Sequence, residues 1–147
     1  MRNKKLLGTG VALITPFNED CSIDFDSLGR LINHLIEKNI DYFVVMGTTG
    51  ESATLSMSEQ NSIIEYVKNV VNKRIPIVLG LGGNDTAQIL DRINVVNFEG
   101  IEAILSVCPY YNKPSQEGLF NHYSKLANSS PVDIILYNVP SRTSLNI

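Results

Sequence analysis

The sequence predicts an α/β protein built on a parallel sheet, and three features carry that reading. Short apolar segments recur roughly every 25 to 35 residues with amphipathic helical segments between them, the βαβα alternation of a parallel sheet. The apolar segments are nearly free of polar residues, as strands buried on both faces are. Turns rich in Gly, Pro or aromatic residues follow these segments, on the side where α/β folds carry their chemistry.

A first strand is expected over 10–14, followed by the polar loop Asn18-Glu19-Asp20. Asp24 is placed to cap a helix whose apolar residues Leu28, Leu31, Ile32, Leu35 and Ile36 fall at i, i+3, i+4, i+7 and i+8, with Asn39 as its stop. The second strand, Tyr42-Phe43-Val44-Val45-Met46, runs into Gly47-Thr48-Thr49-Gly50-Glu51-Ser52-Ala53. Ser56 and Glu59 form a capping box for a second helix with Ile63, Ile64, Val67, Val70 and Val71 on one face. The third strand, 75–79, has Pro76 at its entry, where a missing N–H is tolerated. It leads into the glycine-rich turn Gly80-Leu81-Gly82-Gly83-Asn84.

Asp85 with Gln88 opens a third helix bearing Ile89, Leu90, Ile93 and Val96, which Gly100 is expected to stop. The fourth strand, 103–107, precedes a stiff aromatic loop, Cys108-Pro109-Tyr110-Tyr111-Asn112-Lys113-Pro114, and a helix carrying Leu119, Phe120, Tyr123 and Leu126. The fifth strand, 133–137, is followed by Asn138-Val139-Pro140-Ser141-Arg142-Thr143, and a further helix is expected where the sequence reaches Ile147. Two architectures fit this order. A five-stranded doubly wound sheet of flavodoxin type suits the length. A (β/α)8 barrel suits the site chemistry but takes about 250 residues.

Composition excludes several function classes. A chain of 147 residues is one domain with room for a core, and 44% hydrophobic with 18% charged residues is ordinary for a globular protein. A net charge of −3 and a pI near 5.3 argue against a nucleic-acid surface, since phosphate binding wants clustered Lys and Arg. The basic start, Arg2-Asn3-Lys4-Lys5, invites a signal-peptide reading. The apolar stretch behind it is broken by Gly8-Thr9-Gly10 and lacks a small-x-small cleavage site, so a buried first strand is preferred. No apolar run approaches the ~20 residues of a membrane span. Cys21 and Cys108 form no C-x-x-C pair and imply neither zinc nor a disulfide framework. The expectation is a cytoplasmic protein with no metal, no membrane and no nucleic-acid partner.

Candidate chemistry gathers on the loops after the strands. In 47–50, Gly at both ends and two hydroxyls between let backbone N–H groups and two Oγ atoms address one small carboxylate; a tight connection with hydroxyls as helix caps reads the same residues equally well. Arg142 suits a second carboxylate by bidentate pairing, or is a solvated surface residue. Tyr110 and Tyr111 either serve a site or pack a proline-bounded loop. Tyr137 can carry a proton if the site tunes its acidity. Thr15 and Asn84 complete this rim. His34 and His122 fall off the apolar stripes and are expected to face solvent. No metal-ligand spacing, nucleophile elbow, P-loop lysine or G-x-G-x-x-G is present.

The motifs Gly47-Thr48-Thr49-Gly50-Glu51, Pro109-Tyr110-Tyr111-Asn112-Lys113-Pro114 and Tyr137-Asn138-Val139-Pro140-Ser141-Arg142-Thr143 together resemble the dihydrodipicolinate synthase family, in order and in register from about Gly8 to the last residue. The resemblance implies the (β/α)8 barrel, of which 1–147 supplies the N-terminal part: about the first five strands and four helices, truncated before the sixth strand. It implies a pyruvate-dependent class I aldolase that condenses pyruvate with aspartate semialdehyde on the route to diaminopimelate and lysine, with no cofactor beyond a lysine Schiff base. Thr48 and Thr49 match the pair at the pyruvate carboxylate, Thr48 also linking two tyrosines in a proton relay. Tyr137 matches the proton shuttle, and Arg142 the arginine that receives the semialdehyde carboxylate. Tyr111 matches a tyrosine contributed across a tight dimer interface, in a family that is commonly tetrameric. Sialic-acid lyases share the barrel and the glycine-threonine turn, but Thr49 and Ser141-Arg142-Thr143 favour the synthase.

Two departures follow from the resemblance. The family's Schiff-base lysine lies on the sixth strand, roughly 28 residues beyond the tyrosine matched by Tyr137. None of Lys4, Lys5, Lys38, Lys68, Lys73, Lys113 and Lys125 is expected on a strand, so the chain alone is expected to be inactive. An open sheet edge is expected too, and with it a marginal fold. At the family's lysine-effector site the matching positions keep Ser52, Ala53, Asn84 and Tyr110. Met57, Gln60 and Gln88 stand where inhibited members carry two histidines and a glutamate, which implies weak lysine inhibition. A related aldolase with another aldehyde partner, and a non-catalytic carboxylate-binding module, are the alternatives.

Overall fold

The computed structural model describes residues 4–147, so Arg2 and Asn3 of the basic N-terminal cluster lie outside the described residues. The chain divides into two compact units, one running to Leu79 and the other from Gly80 to Ile147. In the first, a 3-10 turn at Lys4–Leu6 precedes β1 (Gly10–Ala12), α1 (Phe25–Glu37), β2 (Tyr42–Val45), α2 (Met57–Val71) and most of β3 (Ile77–Gly80). The second holds α3 (Thr86–Val95), β4 (Ile101–Val107), α4 (Gln116–Ser129), β5 (Asp133–Tyr137) and a four-residue α5 (Pro140–Thr143).

All the described strand pairs are parallel. In the first unit β2 lies between β1 and β3, with Val11 opposite Phe43 and Val44 opposite Val78. A flavodoxin-type sheet would put the first strand between the second and the third. The doubly wound alternative therefore fails inside the first unit. In the second unit Leu81, just past β3, donates its N–H to Leu105 O at 3.1 Å, and β4 pairs with β5 from Ala103↔Asp133 to Val107↔Tyr137.

Capping chemistry places the helix starts where the sequence expects them. Asp24 accepts the Ser27 N–H at 2.8 Å and the Ser27 hydroxyl as well; these bonds lower the Asp24 carboxyl below its ordinary range. Ser56 and Glu59 exchange bonds as a capping box, the Glu59 carboxylate accepting the Ser56 N–H at 2.8 Å. Asp85 accepts N–H groups of Ala87 and Gln88 at the start of α3. Helix α2 ends on left-handed Asn72, and the Arg74 guanidinium donates to Val71 O, Val70 O and Asn33 Oδ1, tying that end to α1.

Five expectations need correction. Helix α3 stops at Val95, so Val96 is its cap rather than part of its apolar face, and Gly100 (φ +81°) turns the chain into β4. Two β-branched residues end the helix, and the Asn97 side chain captures the Glu99 N–H at 3.0 Å in a competing turn. Strand β1 is two residues shorter than expected, although Leu13 N–H still donates to Val44 O. Strand β4 begins two residues early, at Ile101, and β3 begins at Ile77. There Pro76 contributes only its carbonyl, to Phe43 N–H at 3.0 Å.

The fifth correction concerns α4. Its buried face is Leu119, His122, Tyr123 and Leu126, while Phe120 is 71% exposed. At about 100° per residue, Leu119, Tyr123 and Leu126 define a stripe. His122 lies within about 60° of Leu119 on one side of it, and Phe120 lies about 100° away on the other. The face is thus rotated toward the imidazole. His34, by contrast, is exposed as expected.

Leu126 and Phe120 give a direct comparison. Leu126→Ala is expected to lower the stability of the chain by about 2–5 kcal/mol, since a fully buried side chain leaves a cavity. Phe120→Ala is expected to change it by under about 0.5 kcal/mol. Urea denaturation followed by circular dichroism measures both, and equal effects would contradict this packing of α4.

Candidate functional site

The first unit builds the turn that follows β2. Met46 takes left-handed backbone (φ +60°), Thr48–Gly50 forms one 3-10 turn, Glu51 is again left-handed, and Ser52–Thr54 forms a second. Left-handed non-glycine residues are locally unfavourable, so this path needs outside support. Thr15 provides it. Its hydroxyl, 4% exposed, donates to Gly50 O at 2.7 Å. A Cβ on Gly50 would stand 3.1 Å from Leu13 O, a tight approach that glycine avoids. Thr48 and Thr49 are left exposed on the turn. Thr15 is thus a support of the turn rather than one of its exposed hydroxyls.

Ser52 is half-buried and Ala53 exposed. The Gln60 amide reaches back from α2 and donates to Ser52 O at 3.0 Å and Leu55 O at 3.1 Å. Gln60 therefore anchors the segment that carries Ser52 and Ala53. Met57 is exposed.

In the second unit, Gly82 is required by proximity: a Cβ there would come 2.8 Å from Val107 N. Asn84 is exposed beside the Asp85 cap. In the loop after β4, Asn112 N–H donates to Tyr110 O at 2.8 Å, closing a three-residue turn whose apex is Tyr111. Tyr111 has φ +65° and is 89% exposed. An aromatic side chain held out on rare backbone is a strained arrangement of the kind that clusters at functional positions. Tyr110 is 39% exposed.

Tyr137 ends β5, opposite Val107, and is half-buried; Arg142 is exposed on α5. Cys108 and Thr143 join the two loops of this unit. The buried thiol donates to Thr143 Oγ1 at 3.4 Å, and the Thr143 hydroxyl donates to Val139 O at 3.2 Å. Asn138 accepts the Ile147 N–H and donates to Asn146 Oδ1, closing the segment behind Arg142. The second unit therefore groups Tyr110, Tyr111, Tyr137 and Arg142 on loops that share a tie, and the first groups Thr48, Thr49, Ser52 and Ala53. Thr143 and Cys108 carry no signal as a pair in the sequence, because they lie 35 residues apart.

Among the described residues no group of three His, Cys, Asp or Glu gathers as a metal site, and no helix is long and apolar enough to cross a membrane.

The sequence model of the dihydrodipicolinate synthetase family matches residues 5–147. The chain belongs to that family. It is 52% identical over its whole length to the 4-hydroxy-tetrahydrodipicolinate synthase of Parabacteroides distasonis, covering 50% of that protein. It is 53% identical over 95% of its length to the synthase of Cytophaga hutchinsonii, covering 47% of it. Among solved structures, the chloride-inhibited dihydrodipicolinate synthase of Acinetobacter baumannii complexed with pyruvate is similar with a TM-score of 0.91 and 43% identity, over 95% of this chain and 48% of that one. The chain spans about half the length of the curated relatives it matches. Its fold is that of the N-terminal part of the family's (β/α)8 barrel.

The support of the Gly-Thr-Thr-Gly turn is testable. Thr15→Val, which keeps shape and strands the Gly50 carbonyl, is expected to cost about 1–3 kcal/mol of stability. Thr15→Ser, which keeps the donor, is expected to cost less than half of that. Denaturant midpoints separate the two, and indistinguishable variants would show that the bond carries little.

Proposed function

We propose that this chain is the N-terminal part of a 4-hydroxy-tetrahydrodipicolinate synthase, which condenses pyruvate with L-aspartate 4-semialdehyde in lysine and diaminopimelate biosynthesis. The observation that carries the reading is the family match across 5–147, with the three motif loops present at the ends of β2, β4 and β5. In this reading pyruvate condenses with a lysine amine, water leaves, and the resulting imine makes the methyl carbon acidic enough to attack the aldehyde.

Thr48 and Thr49 hold the pyruvate carboxylate, and their exposure on the 3-10 turn supports this. Tyr137 shuttles protons, with Thr48 and Tyr111 completing the relay. Arg142 receives the semialdehyde carboxylate, for which an exposed guanidinium is suited. Tyr111, strained and 89% exposed, is contributed to the site of a second copy across a tight dimer, in a cytoplasmic homotetramer. No cofactor is used beyond the Schiff base.

The lysines lie in the N-terminal 3-10 turn (Lys4, Lys5), at the end of α1 (Lys38), in or just after α2 (Lys68, Lys73), in the loop before α4 (Lys113) and in α4 (Lys125). None is on a strand. In this reading the Schiff-base lysine lies outside these 147 residues, and the chain alone is inactive.

Borohydride reduction in the presence of pyruvate, read by intact mass, tests this. The 16.3 kDa chain is expected to carry no adduct, and a protein that includes the remaining barrel strands is expected to carry one reduced pyruvate. A reduced adduct or synthase activity from the chain alone would defeat the proposal.

Arg142→Ala in the longer protein is expected to lower kcat/KM for aspartate semialdehyde roughly 10- to 150-fold, the worth of a charged hydrogen-bonded contact. Unchanged turnover would favour an aldolase with another aldehyde partner. The possible effector site, Ser52, Ala53, Asn84 and Tyr110, lacks the carboxylate that Gln88 replaces. Lysine inhibition is accordingly expected to be weak, and inhibition in the low micromolar range would rule this out.

A further inference from the structure

The second unit holds one buried imidazole that the strand-end loops do not use. His122, on α4, is 4% exposed. Its Nδ1 lies 2.8 Å from Oγ1 of Thr86, the first residue of α3. Its Nε2 is buried and has no hydrogen-bond partner among the described residues. The ring meets Tyr123 edge-on at 5.0 Å, and Tyr123 in turn donates its hydroxyl to Ser106 O of β4 at 3.1 Å.

This geometry suits the neutral Nδ1–H tautomer, which donates to the Thr86 hydroxyl and leaves Nε2 without a proton to place. A second proton makes both nitrogens donors. It leaves Nε2–H without an acceptor and puts a cation beside the first turn of α3, the positive end of that helix dipole. The titratable groups on the elements packed here do not compensate. Asp85 precedes Thr86, but its carboxylate is engaged by the N–H groups of Ala87 and Gln88. Tyr123 is a phenol pushed upward by burial and so neutral, and the Cys108 thiol is turned to Thr143. Burial lowers the imidazole below its ordinary value of 6.5, in agreement with the geometry.

We propose that His122 is an acid-sensitive clasp: neutral, it ties α4 to the first turn of α3, and protonated, it releases that turn. The turn follows Gly82-Gly83-Asn84 directly, so release loosens the loop after β3. Because the folded ring binds a proton less readily than the unfolded one, stability is complete above the unfolded value of 6.5 and declines as pH falls below it toward the lower folded value.

Proton NMR of the His122 ring and amide-exchange protection factors, measured on the 147-residue chain from pH 7.5 to 5.0, test the clasp. His122 is expected to titrate below 6.5. Protection over 86–89 and 119–126 is expected to fall about tenfold or more in acid, while α1 and α2 change less than about twofold. His122→Asn, whose amide can keep the Thr86 contact without titrating, is expected to flatten the pH dependence. Thr86→Val, which deletes the partner and keeps the ring, is expected to lower protection of the α3 first turn already at pH 7.5. Titration of His122 at or above 6.5, acid loss shared equally by α1 and α2, or unchanged protection of the α3 first turn at pH 7.5 in Thr86→Val would overturn the proposal.

Discussion

A parallel strand cannot pass the chain to its neighbour through a tight turn; the chain must travel back along the sheet before pairing again. That constraint orders this protein. It forces a helix between successive strands and therefore two loops per strand, one entering and one leaving. The entering loops here are terse. The leaving loops hold the candidate residues: Thr48 and Thr49 after β2, Asn84 after β3, Tyr110 and Tyr111 after β4, and Arg142 after β5.

Those loops have backbone that does not hold itself. Met46, Glu51, Tyr111 and Ser144 all sit in left-handed conformations that non-glycine residues rarely adopt. Buried, low-cost ties stabilise the loops around them. Thr15 holds the Gly50 carbonyl, Gln60 holds the Ser52 and Leu55 carbonyls, and Thr143 links the Cys108 thiol to the Val139 carbonyl. Each tie uses a side chain other than the exposed candidates, so the loop shape is set by groups that need not touch a ligand. Gly50 and Gly82 serve the same end by omission, since a Cβ at either would press on a backbone atom.

The two histidines show why one-dimensional periodicity is an incomplete guide to burial. Both stood off the apolar stripes as read from hydrophobicity, and a polar ring is normally placed in water. His34 is there. His122 is not, because Thr86 supplies a partner for one nitrogen and the Tyr123 ring packs against the imidazole edge-on, which offsets part of the cost of burial. Phe120 is the reciprocal case, an aromatic residue assigned to the core that the rotation of α4 leaves in the open.

Sequence by itself determined the alternation of strands and helices, the helix caps at Asp24, Ser56 and Asp85, and the membership of three loops in one family pattern. These depend on residues within about eight positions of one another or on side-chain chemistry that context does not change. Tertiary structure alone decided the true face of α4, the early end of α3, and the work of Thr15, Gln60 and Thr143, while the β1–β2–β3 order bears out the barrel that the family resemblance implied over the flavodoxin arrangement. Each of these rests on a partner brought close by the fold, as Gly50 is to Thr15 across 35 positions. A hydroxyl reads the same in sequence whether it faces a ligand, water or a carbonyl, and only the packing around it chooses.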